Sequence, residues 1–203
     1  MAGEQRAGMV DVTFTLAGGT LPREHRNALA AALAARLPWL QDEERAGIHR
    51  LNLVAGNGDT DIVSPRTRLG LRLPRERAEA ASMLAGTDLD VGGHRLHLGP
   101  ARRRELLPHG TLYAHLVATG AADEAAFLQQ VGAELAALEV RCRPICGRWR
   151  PAQAPVVTGC SLMLDGLSPE HALRVMERGL GGHRRLGCGL FVPHRSAAPV
   201  GGA

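Results

Sequence analysis

The sequence predicts an α+β protein built from two similar units in tandem, each with the order strand, helix, strand, strand, helix, strand. Stretches of alternating apolar and polar residues, the period of a half-buried strand, are separated by stretches in which apolar residues recur every three or four positions, the period of an amphipathic helix. This order of stretches occurs twice along the 203 residues. That length suits either one large domain or two domains of about 100 residues each.

The first half of the chain contains four predicted strands and two predicted helices. Its first helix begins near Pro22, carries Leu29, Leu33 and Leu37 at intervals of four residues, and is stopped by Pro38. A pair of glycines turns the last segment back on itself as a hairpin. The predicted elements of this half are the strand 9–16, the helix 22–37, the strands 48–54 and 66–73, the helix 74–85 and the hairpin 89–98.

The second half repeats this order of elements. Asp123 stands where it can cap the N-terminus of a helix whose apolar residues fall on one face. Two βαββαβ units in tandem are two ferredoxin-like modules, which we place at residues 1–105 and 106–203, joined around residues 102–110. The predicted elements of this half are the strand 111–118, the helix 123–138, the strands 140–146 and 156–164, the helix 168–178 and the strand 188–192.

The composition favours a packed, basic protein. Hydrophobic residues make up 45% of the chain, which is enough for a core, but aromatic residues make up only 3%. Platforms on which RNA bases stack are therefore few, which argues against a reader of the RNA-recognition-motif type. All 24 basic residues are arginine, whose planar guanidinium suits phosphate, and the net charge of +4 fits a nucleic-acid partner.

The sequence has no apolar segment typical of a secretory signal and no run of about 18 apolar residues. We therefore expect a soluble, cytoplasmic protein that does not bind membranes. Its four cysteines form no Cys-x-x-Cys pair, which favours reduced thiols over a zinc site. We predict neither a cofactor nor a metal site.

A glycine-rich loop near the C-terminus is the most informative local feature. Directly after the helix 168–178, two Gly-apolar-Gly clusters enclose five residues, two of which are arginines. Glycines let the backbone approach a ligand closely, backbone N–H groups form anion-binding nests, and arginine side chains grip phosphate oxygens. The residues predicted to bind a phosphodiester here are Gly179, Gly181, Gly182, His183, Arg184, Arg185, Gly187 and Gly189, with His194 just beyond them.

This spacing, Gly-apolar-Gly, five residues, Gly-apolar-Gly, resembles the signature loop of the RAMP superfamily of CRISPR-associated RNA-binding proteins. Within it, the chain resembles the endoribonucleases that process CRISPR repeat RNA into guide RNA. The resemblance covers nearly the whole chain but rests mainly on residues 179–195 and secondarily on residues 66–69. It implies cleavage of CRISPR precursor RNA in the repeat without a metal ion, giving a 2′,3′-cyclic phosphate and a 5′-hydroxyl. The partners implied are repeat RNA, mature crRNA and other subunits of a type I effector complex.

Such a reaction needs groups that move protons, and histidine is the residue best suited to this near neutral pH. No cluster of aspartates or glutamates stands at spacings that would hold two metal ions, whereas RNA can supply its own 2′-hydroxyl as the nucleophile. His25, in the first turn of the first helix, is the first candidate, because the resemblance implies an active histidine in or just after this helix, facing the glycine loop. His49, at the start of a strand, is the reserve candidate.

Arginines outside the loop form a predicted track for RNA. Three sets stand close together or alternate along strands, and like charges on one face repel unless a polyanion or a carboxylate neutralises them. Any single arginine is also compatible with an ordinary solvated surface charge. The three sets are Arg66, Arg68 and Arg72, then Arg102, Arg103 and Arg104, then Arg141, Arg143, Arg148 and Arg150.

Two other functions fit parts of this pattern. A non-catalytic RAMP subunit that only binds guide RNA would keep the glycine loop but would need no catalytic histidine, so His25 distinguishes it from an enzyme. A ferredoxin-like module that binds a small anionic ligand at the loop would not need so many arginines elsewhere.

Overall fold

The computed structural model describes residues 7–151 and 157–195, and for residues 148–151 it describes the backbone alone. The chain divides into two compact units, Met1–Glu105 and Leu106–Ala203. None of the described helices is long and apolar enough to cross a membrane.

The first unit contains two sheets and two α-helices. Its described elements are β1 (Met9–Ala17), β2 (Thr20–Pro22), α1 (Arg26–Arg36), β3 (Gly47–Ile48), β4 (Val54–Ala55), β5 (Thr60–Ile62), β6 (Arg68–Pro74), α2 (Ala78–Ser82), β7 (Asp88–Val91) and β8 (His94–Glu105). Five strands form one antiparallel sheet in the order β3-β6-β1-β8-β7, and β2, β5 and β4 form a small second sheet. In the large sheet the first strand lies between the third and the last strand of the βαββαβ unit, as in a ferredoxin-like module.

One face of the large sheet carries the core of the first unit. The alternation along β1 sends Val12 and Phe14 to this face, where both are fully buried, together with Leu29 and Leu33 of α1. Burying side chains of this size contributes about 1.5–3 kcal/mol each. The intervening residues of β1, such as Thr13, point to the opposite face.

Three predictions in this half are wrong in detail. Pro22 ends β2, and α1 begins only at Arg26, which places His25 at the N-cap and not in the first turn. The strand predicted over 48–54 is interrupted between β3 and β4, because there the Thr67 hydroxyl bonds a backbone carbonyl, that of Asn52, at 3.0 Å. The arginines 102–104 lie within β8, not in a connection between the units.

The second unit has one sheet and two α-helices. Its described elements are β9 (Thr111–Val117), α3 (Glu124–Ala137), β10 (Arg143–Pro151), β11 (Thr158–Asp165), α4 (Pro169–Arg178) and β12 (Val192–Pro193). The sheet is antiparallel in the order β10-β11-β9-β12, again with the first strand between the third and the last. The predicted tandem ferredoxin-like fold is confirmed.

Side-chain caps begin both helices of the second unit. The Asp123 carboxylate accepts a hydrogen bond from the Ala126 N–H at 2.8 Å, as the sequence predicted, and the Ser168 hydroxyl accepts one from the His171 N–H at 3.2 Å. The last strand is shorter than predicted and starts only at Val192. Cys188 and Gly189, the first two residues of the predicted strand, belong to the glycine loop, where the positive φ angle of Gly189 is incompatible with a strand.

Candidate RNA-binding and catalytic site

The glycine loop, residues 179–189, begins where α4 ends and packs against the end of β9. Gly181 and Gly189 both have φ near +67°, at +68° and +66° respectively. A Cβ atom on Gly181 would overlap the carbonyl oxygen of Ala118, and one on Gly189 would overlap that of Leu180. Glycine is therefore required at both positions by the backbone conformation and by close approach of other backbone atoms.

The N–H groups of the loop are turned inward. Those of Gly182 and Gly189 donate to the carbonyl oxygens of Ala118 and Leu116, both at 2.8 Å. The N–H of Gly181 donates to the Glu134 carboxylate of α3 at 2.7 Å. The expected nest of N–H groups open to an anion is therefore wrong at these three glycines, whose N–H groups hold the loop to β9 and α3.

The two arginines of the loop differ in their surroundings. Arg184 is only 8% exposed, and its guanidinium donates to the carbonyl oxygens of Arg178 at 2.8 Å and Glu177 at 3.3 Å, at the C-terminus of α4. Arg185 is exposed. Arg184 was predicted to contact phosphate, but this geometry fits that role poorly, and we reassign it to holding the loop closed against α4.

Two histidines lie in or beside the loop. His183 is exposed and has a left-handed backbone conformation, with φ 60° and ψ 35°, which is uncommon for a residue other than glycine. Its carbonyl oxygen accepts from the N–H groups of Leu186 and Cys188. His194 follows β12 and packs its ring against Tyr113 with the ring centroids 5.5 Å apart.

His25 is the N-cap residue of α1, and only 7% of its surface is exposed. Its Nδ1 lies 3.1 Å from the carbonyl oxygen of Pro22, and because a carbonyl can only accept, Nδ1 must carry the proton. Burial lowers the pKa of the imidazole below its ordinary value, although hydrogen bonds to the backbone of Pro22 and Arg23 partly oppose this shift. A neutral ring protonated at Nδ1 leaves Nε2 as a proton acceptor.

His49 lies in a charged cluster on the large sheet. Its Nε2 is 3.2 Å from Oδ1 of Asp11, and the same carboxylate receives two hydrogen bonds from Arg72, at 2.8 and 2.9 Å. Burial raises the pKa of Asp11, but the hydrogen bonds from His49 and Arg72 and the charge of Arg72 outweigh it and hold the pKa well below its usual value. Arg72 is fully buried, so it cannot belong to the predicted RNA track.

The predicted arginines of β6 and β8 fall on both faces of the large sheet. In the strand register Arg68 pairs with Thr15, Arg102 with Thr13 and Arg104 with Asp11, so these three arginines share the face opposite the core. All three are exposed. Arg103 pairs with Val12, which puts it on the other face, where it lies 3.4 Å from Glu105.

The other predicted arginines lie outside β6 and β8. Arg66 precedes β6 and is exposed, and Arg143 in β10 is exposed and forms an ion pair with Asp165 at 3.0 Å. The side chain of Arg148 lies outside the described residues. Among the described residues, no three His, Cys, Asp or Glu side chains are grouped so that they could hold a metal ion.

Sequence analysis missed two residues that shape these sites. Asp11 is one of several polar residues alternating along β1, and Glu134 is one of several on the polar side of α3. Their partners are 38 and 61 residues away for Asp11 and 47 residues away for Glu134. No local pattern indicates such pairings.

Comparison with known proteins identifies the family of the chain. The family model of the CRISPR protein Cas6 matches residues 10–196. A CRISPR-associated endonuclease Cas6 of Myxococcus xanthus (strain DK1622) is 38% identical over 194 residues, which cover 94% of this chain and 84% of that protein. The chain belongs to the Cas6 family.

Solved structures show the same fold at low identity. A CRISPR-associated protein Cas6 has a TM-score of 0.66 at 13% identity, covering 92% of this chain and 100% of the other. A Cas6-related protein from Pyrococcus furiosus has a TM-score of 0.62 at 13% identity, covering 91% and 98%.

Proposed function

We propose that this protein is a cytoplasmic endoribonuclease that cleaves CRISPR precursor RNA in the repeat to release mature crRNA, without a metal ion. Its relative from Myxococcus xanthus is a CRISPR-associated endonuclease, which supports the substrate and the reaction. The proposed partners are repeat RNA, the crRNA product and other subunits of a type I effector complex. The observation that carries the mechanism is the 3.1 Å contact between His25 Nδ1 and the Pro22 carbonyl oxygen, which places the proton on Nδ1 and leaves Nε2 as the acceptor.

In the proposed reaction, Nε2 of His25 accepts the proton of the 2′-hydroxyl. The oxygen then attacks the adjacent phosphorus, and the bond to the 5′-oxygen of the next nucleotide breaks. The products are a 2′,3′-cyclic phosphate and, once the leaving oxygen takes up a proton, a 5′-hydroxyl. A positioned proton-transfer group of this kind contributes about 10²–10⁴-fold to the rate.

The histidine role is tested by comparing His25→Ala with His49→Ala in single-turnover cleavage of a synthetic repeat RNA. His25→Ala should slow cleavage by about 10²–10⁴-fold while RNA affinity stays near wild type. His49→Ala should cleave at nearly the wild-type rate, because the His49 ring is engaged by Asp11 within the sheet. The opposite result would move the role to His49, and a wild type that binds the RNA but never cuts it would favour a non-catalytic guide-RNA-binding subunit.

The nucleophile and the metal independence are tested on the wild type. A single 2′-deoxy substitution upstream of the cut should abolish cleavage with little change in affinity, because contacts to phosphate do not need the 2′-hydroxyl. Cleavage should continue in excess EDTA. Normal cutting of the deoxy substrate, or loss of activity in EDTA that magnesium restores, would contradict the mechanism.

We further propose that the sheet face carrying Arg68, Arg102 and Arg104 binds RNA phosphates. Exposed guanidinium groups on one face of β6 and β8, the two strands that flank β1, suit a polyanion. Changing Arg102 or Arg104 to Ala should lower the slope of log K against log salt by about one each. Arg103→Ala removes the same charge from the same strand but from the other face, and it is the matched control.

A further inference from the structure

The contact between α3 and the glycine loop points to a residue that no sequence pattern indicated. Glu134 is half-buried near the end of α3, and its Oε2 accepts the hydrogen bond from the Gly181 N–H at 2.7 Å. A hydrogen bond in which one partner is charged is about twice as strong as one between neutral groups. This bond connects the loop to a helix that precedes it by more than forty residues.

A carboxylate in this position is unexpected if the loop binds RNA. A negative charge beside a loop that meets phosphates repels them, and it occupies an N–H group that a phosphate oxygen would otherwise accept from. Because both effects weaken RNA binding, Glu134 must also have an effect that favours it. The geometry indicates that this effect is to keep the loop ordered.

The loop is held at four places. The Glu134 carboxylate holds the N–H of Gly181, and the Arg184 guanidinium binds the last carbonyl oxygens of α4. The carbonyl oxygens of Ala118 and Leu116 hold the N–H groups of Gly182 and Gly189. Between these contacts the loop exposes His183 and Arg185. The anchored residues include Gly181, Gly182, Gly189 and Arg184, and the exposed side chains are the imidazole of His183 and the guanidinium of Arg185.

We propose that Glu134 is a positioning residue for RNA binding: its carboxylate fixes Gly181 and thereby fixes the path of the loop that presents His183 and Arg185 to phosphate. This inference rests on the proposed function, since the ligand is repeat RNA. Glu134 itself does not touch RNA. Its effect depends on the acceptor oxygen and not on the negative charge.

Two variants of Glu134 separate the effect of the acceptor oxygen from the effect of the negative charge. Glu134→Ala removes the acceptor, whereas Glu134→Gln keeps an amide oxygen at the same reach and removes only the charge. The matched controls are Glu139→Ala and Glu139→Gln, because Glu139 lies just beyond α3 with its side chain 86% exposed, in an ion pair with Arg174 and not with the loop. Removing charge there changes the net charge by the same amount.

The first measurement is hydrogen exchange of the free protein over residues 179–189. Glu134→Ala should speed exchange of the Gly181 amide by about tenfold or more, since the lost hydrogen bond has a charged acceptor and bonds of this kind are the stronger ones. Glu134→Gln should recover most of the protection, and neither Glu139 variant should change it. Unchanged exchange in Glu134→Ala would show that the carboxylate does not hold the loop.

The second measurement is the affinity for a synthetic repeat RNA. Glu134→Ala should weaken binding by about tenfold, which corresponds to about 1.4 kcal/mol. Glu134→Gln should bind within about threefold of wild type, because a change of that size is less than 1 kcal/mol. If Glu134→Ala binds as tightly as wild type or tighter, the carboxylate competes with phosphate and the proposal is wrong. If Glu134→Gln is as weak as Glu134→Ala, the acceptor oxygen is not what matters, which also overturns it.

The two measurements separate this inference from the proposed function. Hydrogen exchange is measured without RNA, so it tests the contact between Glu134 and the loop even if the wild type fails to bind repeat RNA. A wild type that does not bind the RNA contradicts the proposed function. If Glu134→Ala does not fold, Glu134→Gln still decides the matter, because positioning predicts affinity and loop protection near wild type.

Discussion

Each unit of the chain buries one arginine among its described residues, and the two are neutralised in different ways. In the first unit, the Arg72 guanidinium forms a bidentate ion pair with the Asp11 carboxylate. In the second unit, the Arg184 guanidinium binds backbone carbonyl oxygens at the C-terminus of α4, where the helix carries partial negative charge. A carboxylate can be neutralised by a proton or removed by mutation, whereas a carbonyl oxygen is present whatever the side chain. The Asp11 acceptor of the first arrangement therefore depends on pH and on one side chain, whereas the two backbone acceptors of the second do not titrate.

The largest effect is expected from Asp11→Ala, because it leaves the charge of Arg72 buried without its carboxylate. Breaking a buried ion pair in this way costs about 3–5 kcal/mol of the free energy of unfolding, which urea denaturation at pH 7 measures. The double variant Asp11→Ala with Arg72→Met should recover most of that loss, since both charges are gone.

Glu105→Ala is the control for that variant, because it removes the carboxylate from the partly exposed pair with Arg75. Exposed pairs contribute about 0–1 kcal/mol. If Asp11→Ala costs no more than Glu105→Ala, Asp11 does not neutralise Arg72, and the contrast between the two arginines fails.

A second effect follows from the pKa of Asp11. Because this pKa is lower in the folded chain than in the unfolded chain, the folded state binds fewer protons at acid pH. The stabilisation is fully present above the pKa of an unfolded aspartate, about 3.9, and is lost as the pH falls below it. The wild type should lose up to about 1.4 kcal/mol per pH unit in this range through Asp11. Asp11→Asn should show a correspondingly flatter dependence, and equal slopes for the two proteins would contradict the assignment.

Arg184→Met is expected to lower the free energy of unfolding by less than Asp11→Ala does. Its contacts with backbone carbonyl oxygens do not titrate and so add no pH dependence to this loss. The variant removes the donor to the carbonyl oxygens of Arg178 and Glu177, which belong to an exposed and a half-buried residue, so the loss should be about 1–3 kcal/mol in all. The measurement is urea unfolding at pH 7 and at pH 4, with the same loss expected at both.

Arg185→Ala is the matched control for that variant. It should leave stability within about 0.5 kcal/mol and lower the salt slope of RNA binding by about one. A large loss of stability in Arg185→Ala and none in Arg184→Met would reverse the two roles.

The fold could be predicted from the sequence because its elements are marked by local patterns. Alternation over β1, and the caps Asp123 and Ser168 before α3 and α4, each involve residues that are neighbours along the chain. The spacing of the glycines in residues 179–189 is likewise a local pattern, and it indicated the loop. The strand predicted over 48–54 was wrong because its backbone is held partly by the distant Thr67 hydroxyl, which no local period reports.

The candidate site could be predicted only in part, because the role of a charged residue depends on its partner. Arg72 and Arg68 stand on the same strand and the same face, yet one is buried against Asp11 and the other is exposed. In the same way Arg184 and Arg185 are adjacent in sequence, but only one faces the end of α4. The sequence shows the charge at each position, and packing decides whether that charge is available to RNA.

The smallest effect concerns the backbone of the exposed part of the loop. His183 and Glu139 both have positive φ angles, of 60° and 55°. A left-handed conformation costs a residue with a Cβ atom about 1–2 kcal/mol, and glycine removes most of that cost but gains entropy in the unfolded chain. We expect His183→Gly and Glu139→Gly each to change the free energy of unfolding by no more than about 1 kcal/mol, towards stability, as measured by urea denaturation. They should differ in RNA affinity: His183→Gly should bind repeat RNA more weakly, because it removes the exposed imidazole, and Glu139→Gly should bind as wild type. Equal affinity of the two variants would show that His183, the residue of the loop with a positive φ angle, is not an RNA contact, and Arg185 would then remain as the predicted contact within the loop.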